Sequence, residues 1–372
     1  MRILILNKFC PLHPKAGGAE KNLLEIFSRI GETHEVVLLS AMFPGAAREE
    51  TYRNIRIYRL GSPRSENVIR VHIFILFLAG KYAGRFAPDI LFEDVSVIPF
   101  FSPLLLRKQK RIAMIHGWNG RHTFRSQRFP LSLIGYVAEL CFLFLYKKET
   151  VIVVSEWMKE KLLRHGFRNV RKILNGVDES FFSVKKAYSR NPSVLFLGRL
   201  EGRKGIDSFL KTFPSVKKEI PSVQYVIAGR RFLFGEPWWL KRIIDSFEKN
   251  YPKSGITFAG YVSEEQKRDL FSSSWLFAMP SRTEGYGIAA IEANATGTFV
   301  IGNDAEGLRE AIRNGETGAL VDCRDVQKFS KEIIEWLDTR KLEGRKEKCI
   351  AWAKTHSWEK SAKLVEEVIL NS

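Results

Sequence analysis

The sequence has few cysteines, and none are spaced as metal ligands. The 372 residues include four of them, Cys10, Cys141, Cys323 and Cys349, and no two form a C-x-x-C pair. Such wide spacing argues against a zinc site and against a disulfide framework. It is typical of a protein that works in a reducing cytoplasm.

Apolar runs long enough to cross a bilayer are also missing, since a spanning helix needs roughly 20 apolar residues. The two longest runs, residues 68–80 and 131–146, fall short, and each is interrupted or bounded by charge. The N-terminal run MRILILNKF ends after a few residues without a small-residue cleavage site, so a secretory signal is not predicted. We expect residues 68–80 and 131–146 to form buried or interfacial helices.

Acidic residues are scarce relative to basic ones. There are 59 Lys and Arg against 41 Asp and Glu, which gives a net charge of +18. A cationic surface attracts nucleic acid, anionic lipid or phosphorylated small molecules. Nucleic acid is not expected as a partner, because no recognition motif accompanies the charge.

The acidic depletion is strongest between Val95 and Ala138, where no Asp or Glu occurs. Aromatic residues are interleaved in this segment, and the apolar run 131–146 follows it. The pattern fits an anionic membrane surface bound through residues 107–146, and it fits equally a core helix beside a solvated basic loop. Both interpretations stay open. The basic residues are Arg107, Lys108, Lys110, Arg111, Arg121, Arg125 and Arg128, and the aromatic ones are Trp118, Phe124 and Phe129.

The remaining composition predicts two α/β domains. At 372 residues with 45% hydrophobic content, the chain can bury two sizeable cores. Strand and helix patterns alternate in both halves, which predicts doubly wound parallel sheets covered on both faces. Ser155 is the predicted N-cap and Gly166 the predicted stop of one helix in the first half. The second series begins after the polar stretch 183–192.

The first strand-to-helix turn lacks the G-x-G-x-x-G dinucleotide fingerprint. Gly17 and Gly18 stand there instead, just before a helix, where backbone N–H groups can approach an anion. A glycine-rich turn without a ligand explains the same residues.

Basic residues and one histidine follow other predicted strands. Arg199 and Lys204 come after the first strand of the second half and suit a pyrophosphate, although a solvated basic loop is the alternative. His116 ends a strand of the first half. It is either a structural hydrogen-bonding residue or part of a cleft wall.

The string GYGIAA at 285–290 matches a G-x-G-x-x-A fingerprint, with Asp304 near the offset of a ribose-binding carboxylate. An NAD site is nevertheless a poor fit. The segment SRTE separates the preceding strand from the glycines, and Glu284 would repel a pyrophosphate.

A sugar-nucleotide site explains these residues better. Glu284 can accept hydrogen bonds from sugar hydroxyls, and Glu292 can receive the ribose hydroxyls. Between them, the N–H groups of Gly287, Ile288 and Ala289 open a helix toward a phosphate.

Together, these segments resemble the retaining glycosyltransferases of family four, in the right order and over nearly the whole chain. The matching segments are GGAE (17–20), NGVD (175–178), GRLEGRKG (198–205), PSRTEGYGIAAIEA (280–293) and GLREAIRNGETGALV (307–321). The most specific is Glu284 to Glu292, which is similar to that family's E-x7-E signature.

The resemblance implies a GT-B fold, in which two Rossmann-like doubly wound domains face each other across a cleft. Residues 1–182 would form the acceptor-side domain and residues 193–354 the nucleotide-sugar-binding domain. A C-terminal helix at 355–372 would pack back on the first domain. No metal and no other cofactor are expected.

The resemblance also implies roles. Arg199 and Lys204 would hold the donor diphosphate, Glu284 the donor sugar and Glu292 the ribose. His116 would lie near the reaction centre. Gly18 would close the phosphate site from the N-terminal side. Gly17 beside it, and Gly287, Ile288 and Ala289 at the later helix start, are the other residues that we expect to bind the donor.

The sequence departs from the family pattern at Glu306, which stands where the family often has glycine. Glu310 keeps the family's acidic position. The resemblance implies sugar transfer with retention, with the leaving phosphate helping to deprotonate the acceptor on the same face.

The predicted function is therefore transfer from a nucleoside-diphosphate sugar to a lipid-linked or glycan acceptor. The protein would be cytoplasmic and peripheral on the inner face of the cell membrane. Two alternatives stay open, a GT-B sugar-nucleotide epimerase and a non-catalytic basic protein that binds a membrane or a polyanion.

Overall fold

The computed structural model describes residues 1–63, 68–95, 98–118, 131–231, 238–251 and 255–372. The chain divides into two compact units, one formed by Met1–Gly176 with Trp358–Ser372 and the other by Val177–Ser357. Each unit is built on one sheet with helices between its strands. The predicted class, two Rossmann-like α/β domains, is confirmed.

The boundary between the units precedes the polar stretch at 183–192, so residues 177–192 belong to the second unit. The hydrogen bonds of one partly buried lysine explain why. The ammonium of Lys186 donates to the carbonyl oxygen of Phe271 at 3.0 Å and to Thr298 Oγ1 at 2.7 Å. These bonds attach a segment of polar composition to the second unit's interior.

The first unit contains an eight-stranded sheet in the order β3-β4-β2-β1-β5-β6-β7-β8. Its strands are β1 (Arg2–Leu6), β2 (Glu35–Ala41), β3 (Glu49–Tyr52), β4 (Ile55–Leu60), β5 (Ile90–Val95), β6 (Arg111–Ile115), β7 (Thr150–Val153) and β8 (Asn169–Lys172). All pairings are parallel except the β3–β4 hairpin. The sheet order reverses between β1 and β5, so the switch point lies at the carboxyl ends of these two strands.

The helices of this unit are α1 (Gly18–Ile30), α2 (Val68–Phe86), α3 (Ser102–Leu105), α4 (Leu131–Leu145), α5 (Glu156–Arg164) and, from the C-terminus, α13 (Trp358–Leu370). The predicted cap is confirmed, since Ser155 Oγ accepts from the Met158 N–H at 3.4 Å. Gly166 follows α5 with a φ of +85°, a conformation that favours glycine and ends helices. The C-terminal helix α13 packs against α1.

The second unit contains a fully parallel six-stranded sheet in the order β11-β10-β9-β12-β13-β14. Its strands are β9 (Ser193–Leu197), β10 (Gln224–Ala228), β11 (Ile256–Gly260), β12 (Leu276–Met279), β13 (Phe299–Asn303) and β14 (Gly318–Val321). Its helices are α6 (Ile206–Glu219), α7 (Trp238–Asn250), α8 (Glu264–Ser273), α9 (Ile288–Ala295), α10 (Glu306–Ala311), α11 (Val326–Trp336) and α12 (Thr339–Ala353). The switch point lies between β9 and β12, where ligands of open α/β sheets bind.

Candidate functional site

Two loops meet at the switch point of the second sheet. One joins β9 to α6 and the other joins β12 to α9. Gly205 has a φ of +74°, and a Cβ there would lie 2.1 Å from the carbonyl oxygen of Pro280. The Arg282 N–H also donates to the Arg203 carbonyl oxygen at 2.9 Å. Only glycine permits this close approach, so the two loops form one connected surface.

Lys204 and Glu284 meet on this surface as an ion pair, Nζ to Oε1. Their side chains are 20% and 11% exposed. Burial would raise the pKa of Glu284, but Lys204 and Arg203 outweigh it and hold that pKa below its ordinary value. Burial lowers the pKa of Lys204, and Glu284 partly offsets the effect. The structure thus brings together two residues that the sequence predicted for one donor.

The other predicted diphosphate ligand is placed differently. Arg199 is 39% exposed and lies 3.5 Å from Glu201 within its own loop. Arg203, which the sequence did not single out, donates from Nη1 to the Thr283 carbonyl oxygen at 3.3 Å. Arg203 therefore links the two loops, whereas the ion pair of Arg199 stays within one loop.

The first turn of helix α10 packs against the Glu284 loop. A Cβ at Gly307 would lie 2.3 Å from the Glu284 carbonyl oxygen. Glycine at this position is therefore what lets α10 pack against the Glu284 loop. Glu306, the departure from the family pattern, is exposed at the start of α10.

Helix α9 begins at Ile288, as predicted, after Gly287 with a φ of +104°. Glu292 lies one turn into this helix and is only 3% exposed. Its Oε2 lies 3.0 Å from Lys267 Nζ, which also contacts Glu264 at 2.9 Å. The ribose contact of Glu292 and the phosphate contacts of the helix start stay predictions.

In the first unit, polar side chains gather at the carboxyl ends of β1, β5 and β6. His116 Nε2 lies 2.8 Å from Asp94 Oδ1. Asn7 donates from Nδ2 to the other Asp94 oxygen at 2.8 Å. Burial alone would lower the pKa of His116, but the Asp94 carboxylate, with Glu20, raises it above its ordinary value.

Glu20 occupies the start of α1, where the sequence predicted an anion site. The Gly17 N–H donates to Glu20 Oε2 at 2.7 Å. Burial, and then the nearby Asp94, raise the pKa of Glu20. This Gly17 N–H is thus engaged by the unit's own carboxylate, and Gly18 is the first residue of α1. The phosphate role of both glycines stays a prediction.

Sequence reasoning missed Asp94, Glu20 and Arg203. For Asp94 a signal was present, because Glu93 and Asp94 interrupt an otherwise apolar strand. Consecutive strand residues point to opposite faces of a sheet. Two adjacent acids on a central strand therefore require polar partners on both faces.

The basic segment is only partly on the surface. Arg107, Lys108 and Lys110 are exposed. Arg111 is not, which corrects its assignment to a cationic surface, because its buried guanidinium lies 2.9 Å from Glu149 Oε1. Arg121, Arg125 and Arg128, with Phe124 and Phe129, lie outside the described residues. Trp118 is described, and its ring is 4.7 Å from Lys161 Nζ.

Among the described residues, no helix combines the length and hydropathy needed to cross a bilayer. In the same part of the chain, no group of three or more His, Cys, Asp or Glu side chains is arranged to hold a metal ion.

Two family models match the chain. The one described as Glycosyl transferases group 1 matches residues 177–371, just over half of the chain. The one described as Glycosyltransferase Family 4 matches residues 16–181.

Among curated proteins, the GDP-mannose-dependent alpha-(1-6)-phosphatidylinositol monomannoside mannosyltransferase of Mycobacterium tuberculosis H37Rv is 30% identical over 170 residues. The match covers 42% of this chain and 42% of that protein. The chain spans less than half the length of the curated relatives it matches.

Among solved structures, sucrose-phosphate synthase from Thermosynechococcus elongatus has a TM-score of 0.82 at 20% identity. HepE from Anabaena in complex with UDP-glucose has a TM-score of 0.76 at 17% identity. Each similarity covers 100% of both chains. At this level of identity they establish the fold alone, and they confirm the predicted GT-B class.

Proposed function

The chain belongs to the glycosyl transferases group 1 family, and we propose that it transfers a sugar from a nucleoside-diphosphate sugar to an acceptor hydroxyl with retention. The observation that carries this proposal is the Lys204–Glu284 pair at the switch point of the second sheet. A diphosphate can compete for the Lys204 ammonium, which leaves the Glu284 carboxylate to accept hydrogen bonds from the sugar.

In this proposal, Lys204 and Arg199 stabilise the negative charge that develops on the leaving diphosphate as its bond to the sugar breaks. The acceptor oxygen bonds to the sugar on the same face, and its proton passes to the leaving phosphate. Glu292 accepts hydrogen bonds from the ribose hydroxyls, and His116 lies against the sugar. The reaction needs no metal ion.

The donor assignment is also supported by what similar proteins bind. The mycobacterial relative is named for GDP-mannose, and the Anabaena structure contains UDP-glucose. Because these differ in base and sugar, we assign the donor only as a nucleoside-diphosphate sugar.

For the acceptor, we propose a lipid-linked or glycan molecule, reached by a cytoplasmic protein bound peripherally to the inner face of the cell membrane. The exposed cations Arg107, Lys108 and Lys110 would contact anionic lipid. The name of the mycobacterial relative also includes a phosphatidylinositol lipid.

The test incubates the protein with a panel of nucleotide sugars, with and without a lipid-linked acceptor. We expect nucleotide release that depends on the acceptor and that is unchanged by EDTA. An isomerised donor without acceptor would instead support an epimerase. A strict requirement for Mn²⁺ would contradict the diphosphate role of Arg199 and Lys204.

A further inference from the structure

Helix α4 packs on the sheet through a mostly apolar face, in which Glu139 is also buried, and it exposes a second apolar face on its other side. Phe142 and Tyr146, on and just after the helix, are buried in the first unit's core. The outward face carries five exposed large apolar side chains and no charged residue. An exposed apolar face of this size normally contacts a second apolar surface. The outward residues are Leu133, Ile134, Val137, Leu140 and Phe144, with exposures of 42%, 37%, 46%, 46% and 78%.

Part of this outward face forms one wall of a groove against α3. The groove has a volume of about 450 Å³. Leu104 and Phe101 line it from the α3 side, and Val137, Leu140 and Phe144 line it from α4. Leu133 and Ile134 lie on the same face of α4 but outside the groove. The groove is therefore a defined part of a larger apolar surface.

Buried hydrogen bonds fix the positions of the two walls of the groove. Phe101 has a φ of +55°, which is a strained conformation for a bulky residue. The fully buried Glu93 fixes this turn by accepting the Phe100 N–H at 2.6 Å and the Ser102 hydroxyl at 2.5 Å. It also accepts the Tyr146 hydroxyl, just after α4, at 2.5 Å. One carboxylate thus fixes the spacing of the two walls.

Exposed cations follow both helices that form the groove. Arg107, Lys108 and Lys110 come after α3, and Lys147 and Lys148 come directly after α4. Arg107 lies beside the wall residue Leu104, because its Nε donates to the Leu104 carbonyl oxygen at 3.3 Å. An apolar groove beside such a cation is complementary to a molecule that combines a hydrocarbon chain with an anionic group.

We propose that the groove between α3 and α4 binds one hydrocarbon chain of the lipid that carries the acceptor, with the lipid's phosphate against the exposed cations that follow these two helices. This inference rests on the proposed function, because it names the acceptor class as a lipid phosphate. It differs from general membrane contact, since a single chain would leave the bilayer and enter the groove.

Cys141 provides a direct measurement, because it lines the groove. It is partly exposed, whereas Cys10, Cys323 and Cys349 are buried. The rate at which N-ethylmaleimide modifies this thiol reports whether the groove is occupied. The Cys141→Ser variant identifies the modified site. The probes are decyl phosphate below its micelle concentration, butyl phosphate and inorganic phosphate.

We expect decyl phosphate to slow the modification of Cys141 several-fold, while butyl phosphate and inorganic phosphate leave the rate unchanged. Each of three other results would overturn the proposal. The first is no protection by decyl phosphate. The second is protection by vesicles of anionic lipid but not by the soluble probe, which would indicate contact with a flat bilayer. The third is protection that rises with protein concentration without lipid, which would indicate a second copy of the chain.

Matched variants localise the effect. Leu140→Gln changes the groove wall, and Leu133→Gln makes the same change at a similarly exposed position of α4 outside the groove. Only Leu140→Gln should abolish the difference between decyl and butyl phosphate in how strongly they slow Cys141 modification. An equal loss of this difference in both variants would contradict a groove. Because nucleotide binding belongs to the second unit, it is measured in parallel. Intact nucleotide binding with no chain-length effect would reject the groove and leave sugar transfer standing.

Discussion

The two units build their polar centres in different ways. In the second unit, Lys204 and Glu284 are carried by loops that glycines bring into contact, with Gly205 against Pro280. In the first unit, Asp94 and His116 are single residues at the ends of strands that lie side by side. The polar centre of the second unit therefore depends on backbone contact between loops, and that of the first unit depends on the order of its strands. The units should therefore respond differently to substitution.

The largest effect is expected at Lys204. In Lys204→Met, the proposed donor site loses a partly buried cation, so kcat/KM for acceptor-dependent nucleotide release should fall by roughly 10²–10³. Lys211→Met, on the exposed side of α6, is the matched control and should retain activity. If kcat/KM falls less than threefold in Lys204→Met, Lys204 does not stabilise the leaving group.

A smaller loss is expected when the loop contact itself is disturbed. In Gly307→Ala, the added Cβ meets the Glu284 carbonyl oxygen at 2.3 Å, so the loop must shift. We expect activity to fall about tenfold and unfolding to become easier by about 1–3 kcal/mol. The control is Gly344→Ala in α12, where a Cβ meets nothing within 4 Å. It should add up to about 1 kcal/mol of stability in denaturant titrations.

The first unit should instead show a dependence on pH. Because Asp94 raises the pKa of His116, their interaction stabilises the fold fully below pH about 6.5. This stabilisation is lost as pH rises through the higher folded-state pKa. In Asp94→Asn the His116 pKa should fall, and the decrease in the free energy of unfolding with rising pH should disappear. Histidine NMR titration and unfolding curves at several pH values measure both. An unchanged His116 pKa would show that Asp94 does not act on it.

The last effect concerns binding to lipid instead of activity or folding, and it lies at the cations that follow α4. The double variant Lys147→Gln with Lys148→Gln should bind vesicles of anionic lipid more weakly, by about 1 kcal/mol per lysine at low salt. Lys348→Gln with Lys354→Gln removes the same charge from exposed positions of the second unit. Equal weakening in both double variants would mean that net charge alone drives the binding. Co-sedimentation at rising salt measures the difference.

Much of the second unit could be predicted because its determinants are local in sequence. The start of α9 at Ile288 follows from the adjacent glycine, and the Lys204 and Glu284 loops each directly follow a strand. The first unit was harder to predict. Asp94 and His116 meet only because β5 and β6 are neighbours, and Glu20 joins them from α1.

Two other features were not predicted from the sequence, namely the ion-pair partner of Arg111 and the β3–β4 hairpin. Arg111 was predicted as a surface cation, but it is buried against Glu149, which lies 38 residues away in sequence. The β3–β4 hairpin was missed because its turn uses Arg53 and Asn54 at positive φ instead of glycine. The Arg111 pairing is set by a tertiary contact that a periodic pattern does not record, whereas the hairpin is set by a local turn that lacks the expected glycine.

The central claim is that Lys204 contacts the donor diphosphate, and calorimetric titration tests it directly. UDP is compared with UMP, and GDP with GMP, in the wild-type protein and in Lys204→Met. For at least one base we predict that the diphosphate binds more tightly than the monophosphate to the wild type. In the variant this preference should shrink by about tenfold or more, since a charge-assisted hydrogen bond is lost. Equal preference in both proteins, or none in the wild type, would contradict the account.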